Sequence, residues 1–248
     1  QQEAAAREPD APLPLQLCTA RWSAGLRSAP ATPPAVTEMR ILHTIYDHPL
    51  NPWLGGGGAF RTFEICKRLA KRHDITVVCG SYPGCTDGDE DGFQVIHIGA
   101  STSYTVSRLS YMLRGGRHVA NVDPDLWVYS FSAFAPLKAS RRSKSRSILE
   151  CFHLMGDHAS RKRGLIGHVA SLAEKKTVRA YDEIISISPS VMETIATLRG
   201  TDEGLRLVYT GCDASCFIDD SVEEDFLLYF GRLDPYTKGL DLLFAAFA

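Results

Sequence analysis

The chain of 248 residues predicts an α/β fold, doubly wound around a mostly parallel sheet. Three observations carry that reading. From Met39 onward short apolar runs of strand length alternate with segments of helical period. Those runs are apolar throughout rather than at every second residue, as strands buried on both faces of a parallel sheet must be. Four consecutive glycines, Gly55, Gly56, Gly57 and Gly58, then stand between the first strand and the first helix.

Taken in order, residues 1–38 carry nine Ala and six Pro without apolar periodicity, so a disordered leader is expected there, with Met39 as the natural start. Glu3, Glu8 and Asp10 argue against a transit peptide, and there is no secretory apolar core. Residues 40–45 read as the opening strand. A helix over 59–72 places Phe63, Cys66, Leu69 and Ala70 on one face and Arg61, Glu64, Lys67, Arg68 and Lys71 elsewhere. Further strands are expected at 75–79, 94–98, 126–130, 147–152, 183–188 and 205–209, with a helix over 168–181. Ser188 caps another helix with Pro189 at its first position, and Ser190 with Glu193 offers an overlapping capping box.

Residues 213–224 are short, acidic and punctuated by Ser215 and Ser221, which suits a hinge. Residues 226–230 are an apolar run of strand length, ended by Gly231 and Arg232, with Asp234 and Pro235 as turn chemistry. Leu240, Leu243, Phe244 and Phe247 then recur at helical spacing after Lys238 and Gly239. Three regions follow: a leader at 1–38, a Rossmann-like domain at 39–218, and at 219–248 a hinge with the first strand and helix of a second such domain.

A formal net charge of −2 gives no global attraction for nucleic acid, and none is expected as a partner. The seven cysteines form no C-x-x-C pair and read as reduced packing residues, which suits a cytoplasmic protein. There is no run of about 18 apolar residues, the length a membrane-spanning helix needs.

The glycines lie at the carboxyl edge of the sheet, where an open α/β sheet binds its ligand. Without side chains there, a ligand can approach the backbone amides and the helix N-terminus. The dinucleotide fingerprint G-x-G-x-x-G is not met, because the third glycine position falls on Phe60 or Arg61. Arg232 and Lys238 flank the later strand-to-helix loop, a second phosphate-type position that also holds Gly231. His153 follows the strand at 147–152, again at a carboxyl end, whereas His43 and His97 lie within strands as core or sheet-face residues. Asp87-Gly88-Asp89 reads as a solvated turn and Asp123-Pro124-Asp125 as the lead into a strand; no metal is expected. Basic clusters at 138–146 and 161–163 raise contact with an anionic membrane leaflet or a charged acceptor.

The order of these pieces resembles glycosyltransferase family 4. It is carried by the first strand, the glycine loop, LAKRHDITVV, YDEIISISPSVMETI, VYTGCDASCF and LLYFGRLDPYTKGLDLL. The spacing between Arg232 and Lys238 is one residue longer than the family usually shows, and Thr210-Gly211 stands where Asn-Gly is common. The resemblance implies the GT-B fold, two facing Rossmann-like domains with a nucleotide diphosphate sugar between them as donor substrate, and no cofactor. It implies retaining transfer to a sugar, lipid or polysaccharide acceptor. Arg232 and Lys238 would grip the diphosphate, His153 would touch the donor sugar, and Gly55, Gly56, Gly57, Gly58 and Gly231 would line the donor site. The family's paired glutamates find no counterpart before Ala248, so residues 1–248 alone are expected to be inactive. Other readings are a nucleotide-sugar epimerase or phosphorylase on the same fold, or a non-catalytic binding module.

Overall fold

The computed structural model describes residues 37–132, 137, 145–213, 216–217, 225–231, 233 and 238–247; the side chains of 157–163 and 166 lie outside that description. Contacts divide the chain after Glu38, and the architecture below is that of the unit from Met39 to Ala248. The expectations for residues 1–36, Arg232 and the cluster at 138–144 fall outside the described residues.

One sheet of eight strands forms the centre: β1 (Arg40–Thr44), β2 (Asp74–Gly80), β3 (Gly88–Glu90), β4 (Phe93–Ile98), β5 (Leu126–Ser130), β6 (Arg146–Cys151), β7 (Glu183–Ser186) and β8 (Leu205–Leu207). Their spatial order is β3-β4-β2-β1-β5-β6-β7-β8, parallel throughout except for the antiparallel edge pair β3/β4. Successive residues of β1 serve opposite faces. Ile41 packs with Ile75, Val77, Phe93 and Val95 beneath α1 (Gly57–Leu69). Leu42 packs with Val78, Trp127, Tyr129, Leu149 and Ile184, covered by α2 (Tyr104–Val122), α3 (Asp157–Val178) and α4 (Pro189–Arg199) through Tyr111, Val119, Val178 and Ile195.

The chain moves toward one edge from β1 to β2 and β4, then crosses back through α2 to β5 and continues the other way. With right-handed crossovers this puts α1 on one face and α2, α3 and α4 on the other. The direction reverses between β1 and β5, and the crevice beyond their carboxyl ends is the switch point.

Most expected elements form within a few residues of their predicted bounds, and the departures have local causes. Residues 87–91 are more than a turn. Gly88–Glu90 pairs antiparallel with β4 because Asp91 and Gly92, at φ 53° and 89°, make the two-residue hairpin that suits strand twist. Ser188 is the N-cap of α4, its Oγ accepting from the Val191 N–H at 3.3 Å; Ser190 lies in the first turn instead of forming a separate cap. Gly200, at φ 75°, closes the same helix.

Residues 226–230 do not form the expected strand. They have no regular secondary structure and, apart from the half-buried Tyr229, are exposed, with Phe230 at 95 % accessibility, and they join no ladder of the sheet. An apolar run becomes a strand only where a neighbour accepts its hydrogen bonds, and among the described residues none lies alongside. The helix after it does form, as α5 (Leu240–Phe247). Cys66, Cys79 and Cys151 are buried packing residues, but Cys212 and Cys216 are exposed, contrary to a packing role for all seven. Among the described residues, no helix is long and apolar enough to cross a membrane.

Candidate functional site

The loop after β1 is folded on itself before it reaches the glycines. Asn51 donates its N–H to the His48 carbonyl at 2.9 Å, and its Oδ1 accepts from Trp53 N–H at 2.9 Å and Leu54 N–H at 3.3 Å. The buried His48 ring is held on both sides. Its Nδ1 lies 3.1 Å from both the Leu50 N–H and the Tyr82 hydroxyl, which assigns the proton to Nε2, 3.3 Å from Glu90 Oε1. Burial, partly offset by Glu90, lowers the pKa of His48 and keeps the ring neutral.

The four glycines divide into two kinds. A Cβ on Gly55 would stand 2.7 Å from the Pro49 carbonyl, and one on Gly58 would stand 2.9 Å from the Phe152 ring. Those two glycines allow close packing. Gly57 has open space around it, and the nearest atom to a Gly56 Cβ is Asp47 Oδ2 at 4.0 Å. Gly56 is the N-cap of α1 and accepts the Ala59 N–H at 2.9 Å. The N–H groups of Gly57 and Gly58, in the first turn, have no intrahelical partner, and among the described residues no side chain caps the turn by a hydrogen bond. An exposed helix start with bare amides at a switch point suits an anionic ligand.

His153 is exposed, and Phe152, the residue before it, sets its ring against Gly58. The loop after β6 takes its shape from Glu174 on α3, a residue only 1 % exposed. Its two carboxylate oxygens accept the Met155 and Gly156 N–H groups, each at 2.8 Å. Charge-assisted bonds of this kind fix a loop more firmly than neutral ones.

Beneath both loops lies a buried polar cluster. Arg61 Nη1 on α1 bonds Glu150 Oε1 on β6, with side chains 6 % and 4 % exposed. Ser130 donates to Glu150 Oε2 at 2.7 Å and accepts from His43 Nε2 at 2.8 Å; His43 Nδ1 lies 3.8 Å from Cys66 Sγ. Burial, the largest influence on Glu150, favours its neutral form, but His43, Arg61 and Ser130 outweigh it and hold the carboxyl at about 2. Burial likewise opposes the charge on His43, while Cys66 and Glu150 raise it to about 9. Arg61, Glu150 and His43 thus form a charged lock joining α1 to β1, β5 and β6.

Asp47 follows β1 at the same edge. Burial lifts its carboxyl to about 6, although Arg108 pulls it down. Arg108 on α2 stacks over Tyr46 at 4.7 Å and bonds Ser132 at 2.6 Å, beyond the end of β5.

The two Asp pairs are engaged elsewhere. Asp87 accepts from the His97 N–H at 2.7 Å. Asp125 accepts from the Arg40 N–H at 2.7 Å, at the amino edge, opposite the switch point. Gly231 and Lys238 are exposed, and among the described residues no hydrogen bond or ion pair joins them to the loops after β1 and β6. The site is therefore described on one side: the glycine turn meets the strand end that carries His153 through Phe152, and Arg232 lies outside the described residues.

Comparison with solved structures gives the class. Sucrose-phosphate synthase from Thermosynechococcus elongatus matches at a TM-score of 0.54 and 12 % identity, over 73 % of this chain and 50 % of its own. The catalytic domain of starch synthase IV from Arabidopsis thaliana, bound to ADP and acarbose, matches at 0.51 and 12 %, over 72 % and 53 %. The fold is that of the GT-B glycosyltransferases, and this chain spans about half the length of those structures. No curated protein matches the chain. The family model described as Glycosyltransferase Family 4 matches residues 55–215, more than half of the chain, and the chain belongs to that family.

Proposed function

We propose that this chain belongs to a retaining glycosyltransferase that moves a sugar from a nucleotide diphosphate donor to a hydroxyl of a sugar, lipid or polysaccharide acceptor. The observation that carries the proposal is the start of α1, where the Gly57 and Gly58 amides have no side-chain cap among the described residues and Gly58 meets Phe152, the residue before His153. Those amides suit phosphate oxygens or a sugar hydroxyl, and His153 would contact the donor sugar. Arg232 and Lys238 would bind the diphosphate from the other side. As the bond between the anomeric carbon and the diphosphate oxygen breaks, its electron pair moves to that oxygen. The acceptor oxygen bonds the same carbon, and its proton passes to the departing phosphate on the same face. Fixed cations and bare amides stabilise this growing charge more than they stabilise the ground state.

Titration of the chain with UDP, ADP and GDP, followed by product analysis with each nucleotide sugar, tests this reading. One nucleotide diphosphate should bind and protect against thermal unfolding, and Gly57→Val should weaken it. Isomerised donor formed without acceptor would identify an epimerase, and no binding of any nucleotide would favour a non-catalytic module. Residues 1–248 alone are expected to turn over poorly, since among the described residues no strand pairs with 226–230; robust transfer would overturn that part.

A further inference from the structure

Two helices on one face of the sheet turn apolar side chains outward. On α2, Val106, Leu109 and Leu113 recur three and four residues apart and are 46 %, 52 % and 68 % exposed. That stripe stands opposite the packed face of Ser107, Tyr111, Gly115 and Val119, so α2 is apolar both toward the core and toward solvent. On α3, Leu165, Val169 and Leu172 repeat the pattern, with Leu165 at 81 %. A surface helix ordinarily places its charges on this outer side.

Among the described side chains, the exposed charges beside these stripes have one sign. α2 contains no Asp or Glu, and Arg114 and Arg117 lie exposed along one flank of its stripe. Beside them is an open groove of about 420 Å³ lined by Ile98, Arg114, Arg117, His118 and Asn121. His118 Nε2 is buried there with no hydrogen-bond partner among the described residues. On α3 the stripe leads to Lys176 and Arg179, and Glu174 is turned inward onto the Met155 and Gly156 amides. An apolar stripe edged by cations is complementary to a surface with an apolar interior and an anionic boundary. A second copy of this face would instead set like charges against each other.

We propose that the outward faces of α2 and α3 seat the protein on an anionic lipid leaflet. Leu109, Leu113, Leu165 and Val169 enter the boundary between headgroups and acyl chains, and Arg114 and Arg117 hold lipid phosphates at the groove. This surface is separate from the glycine turn and does not depend on the glycosyl-transfer reading.

Sedimentation of the full chain with extruded vesicles tests the proposal. One set is phosphatidylcholine alone, and the other is equal parts phosphatidylcholine and phosphatidylglycerol. The protein should pellet with the mixed vesicles, be released by salt and stay in solution with phosphatidylcholine. Arg114→Gln/Arg117→Gln should weaken binding about 30-fold, roughly fivefold for each cation near the surface. Leu109→Ser/Leu113→Ser should weaken it at least about tenfold, from lost burial of two leucines. Both variants alter exposed side chains, so an unchanged melting temperature shows that the fold is kept. Equal pelleting with phosphatidylcholine, or unaltered binding by both variants, overturns the proposal. So does a dimer in sedimentation velocity that Leu109→Ser/Leu113→Ser dissociates while vesicle binding is absent; that result assigns the stripe to a second copy.

Discussion

Replacing Glu150 by Gln tests the lock beneath the glycine turn. The carboxylate is 4 % exposed and faces Arg61, which is 6 % exposed, and the charged His43. Neutralising it leaves a buried guanidinium unpaired, a loss of roughly 3–5 kcal/mol. For a domain of this size each kcal/mol moves the melting temperature by about 2–4 °C, so a fall of roughly 6–20 °C is expected. The pH dependence is more diagnostic. Glu150 is held at about 2 against an ordinary 4.5, so its contribution is complete above 4.5 and is lost as pH falls toward about 2. His43 is held at about 9 against 6.5, so its contribution is complete below 6.5 and is lost as pH rises through about 9. Each limb is on the order of 3 kcal/mol at about 1.4 kcal/mol per pH unit, and the two describe one pair, so they are not summed. Urea unfolding followed by the fluorescence of the buried Trp127 provides the assay. The difference between wild type and Glu150→Gln should be greatest from pH 4.5 to 6.5 and shrink on both sides. A loss below about 1 kcal/mol, or a difference that does not vary with pH, would refute the reasoning.

Gly58→Ala should disturb the start of α1, because its Cβ would meet the Phe152 ring at 2.9 Å, whereas Gly57→Ala meets nothing and should stabilise the helix by up to about 1 kcal/mol; paired melting curves separate the two. Glu174→Gln should cost about 1.5–3 kcal/mol and speed hydrogen exchange at the Met155 and Gly156 amides, which it now holds at 2.8 Å. Asp47→Asn should stabilise the protein above pH 6. Burial raises the folded Asp47 pKa from 3.8 to about 6, so ionising it lowers stability as pH rises through that window, and stability curves of the variant should lose that slope.

The fold was legible wherever burial writes a local pattern. β1 and β2 are apolar runs because both of their faces are packed, Ile41, Ile75 and Val77 on the side of α1 and Leu42 and Val78 on the other, and Ser188, Pro189 and Gly200 mark the ends of α4 by their own chemistry. β3 escapes notice because Gly-Asp-Glu at a sheet edge buries almost nothing; its only signal is the Asp91-Gly92 turn. Residues 226–230 mislead in the opposite way, since an apolar run records a tendency to be buried and says nothing of a pairing partner. α2 blurs the helical period by being apolar on its outer side as well as its inner one.

The site was legible only where backbone freedom itself carries meaning. Four adjacent glycines announce a place without side chains, but not that Gly55 and Gly58 are small for packing while Gly56 and Gly57 leave room outside. The side chains that position this turn, His43, Arg61, Ser130 and Glu150, are scattered over more than a hundred residues and share no spacing. Only the parallel register of β1, β5 and β6 brings them together. That arrangement also explains why the charges are buried there. Glu150 binds α1 through Arg61 and lies two residues before Phe152, so one carboxylate fixes the helix start and the strand end that carries His153. A hydrophobic replacement of the same volume could hold the layers together, but it would supply no directional bond to set the rotation of α1 about its own axis. The lock therefore bears on the aim of the Gly57 and Gly58 amides, and a variant such as Arg61→Met/Glu150→Gln should recover stability relative to Glu150→Gln alone while binding nucleotide diphosphate more weakly than wild type. Recovery of both stability and nucleotide affinity would show that packing alone aims the turn.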